Sequence, residues 1–164
     1  MESEDEGFAQ GRDRHPRRRA APRPVPSHYP EAFAGHLRGR LKHPLSDVFG
    51  LKNLGVNLTR MPPGAASSLH HRHTRQDEFV CVLEERPTFV TDDGEMELAP
   101  GMCAGFPADG AAHHLQNLTD TDVVFLEVGD RAPEDTVIYP ADDLESVPGP
   151  DGERRSTHKD GTPY

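Results

Sequence analysis

The stretch 63-PGAASSLHHRHTRQDEFVCVLE-84 decides how the rest of the chain is read. On an extended strand successive side chains point to opposite faces, so His71 and His73 project together, and His70 and Arg72 project the other way. A turn through Thr74, Arg75 and Gln76 returns Glu78 beside the two imidazoles, at the start of the apolar run FVCVL. Two neutral imidazoles and one carboxylate on a shared face can bind a divalent transition metal and leave coordination positions open. Asp77 falls on the opposite parity, which suits a turn cap.

Outward from this stretch, the chain alternates in short segments. LGVNLTRM (54–61) places Leu54, Val56 and Leu58 on one face and Gly55, Asn57 and Thr59 on the other. DEFVCVLE (77–84) is apolar on both sides, as in a strand covered by a second layer. PTFVTDDGEMEL (87–98) reads as a hairpin with glycine at its tip. AHHLQNL (112–118) puts His113, Leu115 and Asn117 on one face and His114 and Gln116 on the other, so His70 and His114 both fall on the non-ligand side. TDVVFLEVGD (121–130) and TVIYP (136–140) complete a set of eight or nine strands with turns every eight to twelve residues.

The flanks differ in character. Residues 1–26 carry six arginines against five acids and read as a disordered, solvated tail. Residues 27–53 form an irregular lead-in, with a short helical turn after Pro44 capped by Ser46 or Asp47 and ended by Gly50. Residues 54–140 form the barrel, and 141–164 an irregular polar strap or tail.

Composition excludes several function classes. At 164 residues the chain is one domain, and a net charge of −10 speaks against nucleic-acid binding by the main body. No run approaches a membrane span, and the first residues lack the apolar segment of a secretory signal, so a cytoplasmic location is expected. Cys81 and Cys103 lie in apolar runs outside any C-x-x-C pattern and read as buried small hydrophobes in a reducing compartment.

The 63–84 stretch and a second one, 101-GMCAGFPADGAAHHLQN-117, resemble the two motifs of the cupin family. In the first, His71, His73 and Glu78 fall on the family pattern, Gly64 precedes His71 by one residue more than the standard spacing, and Glu85 stands where a closing glycine belongs. In the second, Gly101, Pro107, His113 and Asn117 match, and Asp109 replaces a glycine. The resemblance covers roughly residues 50–130. It implies an all-β double-stranded β-helix, the jelly-roll barrel, with irregular N- and C-terminal extensions.

The resemblance also implies His71, His73, Glu78 and His113 as the ligands of one divalent transition metal per chain (Fe, Zn, Mn or Ni). Asn57, Val80, Val82, Phe106 and Leu115 are the candidates, by strand parity, for the wall of a small-molecule pocket, and Tyr139 and Arg60 for accompanying polar groups. A metalloenzyme (oxygenase, isomerase or lyase) is the expected function, with a non-enzymatic metal or metabolite sensor as the alternative. Small cupins of this kind pair through their outer sheet and lead-in, so a homodimer is expected. Some are labelled sugar-phosphate isomerases. The barrel stretch shows no cluster of Lys and Arg suited to a phosphate, which counts against that activity here.

Overall fold

Strand alternation in 54–61 is realised as an eight-residue strand, Leu54–Met61, whose Thr59 and Met61 side chains are buried and whose Leu54 is exposed. The structure, a computed structural model, describes residues 20–23 and 29–164. The reading of 1–26 as a tail falls almost wholly outside those residues.

Twelve strands are present among the described residues: β1 (Leu41–Pro44), β2 (Leu54–Met61), β3 (Arg72–His73), β4 (Glu78–Glu84), β5 (Thr88–Thr91) and β6 (Gly94–Glu97), then β7 (Cys103–Phe106), β8 (His113–Gln116), β9 (Val123–Asp130), β10 (Val137–Tyr139), β11 (Leu144–Pro148) and β12 (Arg154–Thr157). All pairings are antiparallel, in sheets ordered β1-β2-β9-β4-β7, β12-β11-β10-β3 and β6-β5-β8. Bridges at His71↔His113 and Ala66↔Gln116 join the two smaller sheets along the 66–73 segment. The result is an all-β fold of opposed sheets with the ligand stretch on the seam. Met61, Val82, Val123 and Phe125 are fully buried between the layers.

Two expectations need correction. The lead-in is not irregular throughout: Leu41–Pro44 adds an edge strand to β2, preceded by a 3-10 segment Glu31–Leu37. Likewise 141–164 contains β11 and β12, which extend the sheet beyond β10. Both segments are polar, so their strand character comes from pairing with a neighbouring edge rather than from hydrophobic alternation. The helical turn after Pro44 is present as α1 (Leu45–Val48), but neither Ser46 nor Asp47 caps it. The hairpin tip is as read, with Gly94 at φ 135.

Candidate metal centre

The turn after β3 carries the chain back into β4, and the register places Glu78 against the imidazoles. His71 Nε2 lies 3.5 Å and His113 Nε2 3.2 Å from Glu78 Oε2, and His73 Nε2 lies 3.4 Å from Oε1. One ligand atom from each of His71, His73 and Glu78 lies within 4.8 Å of the others, and His113 adjoins them through the shared carboxylate. Ligands about 2.0–2.2 Å from a tetrahedral ion stand about 3.4 Å apart, which is the spacing found here.

Outer bonds turn the rings inward. His71 Nδ1 donates to the Leu69 carbonyl at 2.9 Å, so its Nε2 presents a lone pair to the Glu78 carboxylate. Such a pairing is repulsive unless a cation or a proton lies between, and this donor set fits a divalent transition metal. His73 Nδ1 donates to Asp135 Oδ2 at 2.7 Å. Burial opposes charge on His73, but its bonds to Asp135 and Glu78 outweigh that and raise its pKa to about 9. For Glu78 burial favours the neutral acid, yet the surrounding imidazoles, His113 foremost, hold it well below the usual carboxylate range. The His71 pKa is lowered, because burial outweighs the pull of Glu78.

Sequence reading missed Asp135. Its side chain is fully buried and accepts from His73, from the Arg75 backbone at 2.9 Å and from Arg154, so one carboxylate fixes a ligand ring, the ligand turn and a cation. Lying 62 residues from His73 in an irregular segment, it carries no local signal. On the opposite face His70 and His114 bond each other at 3.1 Å, and His70 bonds Asp92 at 2.9 Å, in keeping with their parity. Asp77 accepts from the Ala108 backbone at 2.7 Å, away from the cluster.

The cluster opens onto a cavity of about 220 Å³ lined by Val80, Phe106, Leu115 and Tyr139, among others. The Phe106 ring lies flat on His113, with ring centroids 3.4 Å apart. Two wall candidates do not line it. Val82 is fully buried in the core, and Asn57, although on the inward face of β2, accepts a bond from Arg23. Arg60 pairs with Asp122 at the surface. The absence of a basic cluster also needs correction: Arg23, Arg40, Lys42 and Arg154 all line the cavity, brought in from outside the barrel stretch.

Comparison with known proteins agrees with this geometry. A cupin-domain family matches residues 57–129. A crystal structure described as a sugar phosphate isomerase of the cupin superfamily, from Silicibacter pomeroyi, is 43% identical. It aligns over 84% of this chain and 88% of its own, with a TM-score of 0.79. The chain belongs to the cupin superfamily. A second structure, described as a "putative sugar phosphate isomerase" from Acidithiobacillus ferrooxidans, is 30% identical over 76% of this chain and 80% of its own, TM-score 0.68. A predicted oxalate decarboxylase from Thermotoga maritima shares the cupin fold at 19% identity, over 70% of this chain and 96% of its own, TM-score 0.55. No curated protein matches the chain. No helix among the described residues is long and apolar enough to cross a membrane.

Proposed function

We propose that this cupin is a metal-dependent isomerase that interconverts an aldose and a ketose form of a small sugar-like substrate, working as a cytoplasmic homodimer. The observation that carries this reading is the meeting of the His71–His73–Glu78 cluster with an acceptor, Glu127, and a hydrogen-bond donor, Tyr139, on the wall of one cavity. The two similar structures described as sugar phosphate isomerases support the reaction class.

A bound divalent metal supplies polarisation of a carbonyl or hydroxyl oxygen. The chain supplies the rest. His71, His73, His113 and Glu78 would hold the ion, with Asp135 orienting the His73 ring. Phe106 covers His113 and keeps water from that side. Isomerisation moves one proton between adjacent carbons and one between their oxygens, with no net oxidation, so no co-reactant is required. Glu127 Oε2, held by Lys42 Nζ at 2.6 Å, is an anionic acceptor inside the cavity. The Tyr139 hydroxyl, kept protonated because burial raises its pKa, can donate a hydrogen bond to a substrate oxygen there.

The homodimer reading rests on the exposed apolar side chains Val48, Phe49, Leu51 and Leu54, close in sequence where the lead-in enters β2, with Leu41 exposed further along the same edge. Light scattering should return twice the 18.1 kDa chain mass, and a monomer would sink that part. The reaction is tested by incubating metal-reconstituted protein in D₂O with a panel of aldoses, ketoses and their phosphates. Deuterium entering at C1 or C2, followed by proton NMR, is expected; no exchange with any member overturns the isomerase reading.

A further inference from the structure

Among the described residues, four cationic side chains line the cavity that the ligand cluster faces, and two carboxylates, Glu78 and Glu127, line it with them. All four cations lie outside the family-matched segment 57–129: Arg23 and Arg40 before β1, Lys42 on β1 and Arg154 on β12. We infer that Arg40, Lys42, Arg154 and Arg23 form a phosphate-monoester subsite in the cavity beside the ligand cluster. The inference rests on the isomerase reading for the remainder of the substrate.

Burying a guanidinium or ammonium group costs stability unless partners compensate it. Here each cation has a partner in the protein. Arg40, buried, donates to the Ser67 carbonyl; Lys42 pairs with Glu127 at 2.6 Å; Arg154 pairs with Asp135 and donates to the Ser146 carbonyl at 3.1 Å; Arg23 donates to Asn57 at 3.3 Å. Ser146 and Ser156 are cross-strand partners on β11 and β12 and line the same wall, adding hydroxyls. Cations converging from β1, β12 and the lead-in suit a tetrahedral dianion with three terminal oxygens. A carboxylate would engage a single guanidinium fork. Because Arg154 shares Asp135 with His73, the subsite and the metal ligands are joined through one buried carboxylate.

The test is binding to metal-free protein, which separates this site from catalysis. Calorimetry with glycerol 3-phosphate, glycerol and glycerate as probes on EDTA-treated full-length protein should show saturable binding of the phosphate ester alone, weakening as salt rises. Arg40→Gln and Arg154→Gln should each weaken it tenfold or more. Arg23→Gln, at an exposed position that does not endanger folding, should weaken it severalfold. Unchanged binding in Arg23→Gln and Arg154→Gln would place the anion elsewhere and overturn the inference, as would no binding of glycerol 3-phosphate or equal affinity for glycerate. Phosphate-ester binding without any exchange in the D₂O experiment would uphold the subsite and sink the isomerase reading.

Discussion

Two departures from the family pattern keep the backbone that glycine would have taken. Glu85 stands at φ 63 and Asp109 at φ 56, both in the left-handed region where a Cβ is penalised. Aspartate tolerates this region through local hydrogen bonding and glutamate does not. Glu85→Gly should therefore stabilise the fold by about 0.5–1 kcal/mol, after the entropy that glycine adds to the unfolded chain. Thermal denaturation checks it, and an unchanged or lower melting temperature would contradict it. Asp135 sets the other residue-scale expectation. Asp135→Asn preserves shape but weakens the hold on the His73 ring, so metal affinity should fall about 10–100-fold in chelator competition. An unaltered affinity would deny Asp135 its orienting role.

At the scale of elements, the register of β4 and β7 brings the chain's two cysteines onto one rung. Val82 N–H bonds the Met102 carbonyl at 3.0 Å, which makes Cys81–Cys103 a non-hydrogen-bonded pair. Cα atoms in such pairs approach to about 4.5 Å, inside the range a disulfide spans. Cys103 is exposed and Cys81 half-buried, so the expectation of two buried hydrophobes fails. Only the pairing of β4 with β7 shows that Cys103 sits opposite Cys81. Hydrogen peroxide should close an intrachain disulfide here, two thiols giving one disulfide and the peroxide leaving as water. The bond with Cys81 holds the Cys103 thiol above its ordinary pKa, so the thiolate is scarce at neutral pH and closure should quicken as pH rises. Thiol titration and intact mass follow it; persistent free thiols, or a disulfide-linked dimer on a non-reducing gel, would refute the pairing.

At the scale of the whole molecule, the proposed metal ligands come from three strands and the segment between them, so an ion bound there would tie the large sheet to the smaller ones. EDTA should lower the melting temperature, and metal restored at a hundred times its dissociation constant should return about 2.7 kcal/mol. His71→Ala with His113→Ala should abolish both the response and the bound metal measured by elemental analysis. What the sequence by itself determined is the part governed by local period. Parity along 70–73 and 112–118 separated the inward His71, His73 and His113 from the outward His70 and His114, and glycine at 94 marked the hairpin. Parity failed at Val82, on the correct face but sealed in the core, because depth along a barrel is not a local property. Only the tertiary structure decided the rest: Asp135 behind His73, the strand character of 41–44 and 144–157, and four cations gathered from segments far apart in the chain. Those contacts join residues with no shared periodicity, and a polar side chain's partner is fixed by where edge strands pair, not by its neighbours in sequence.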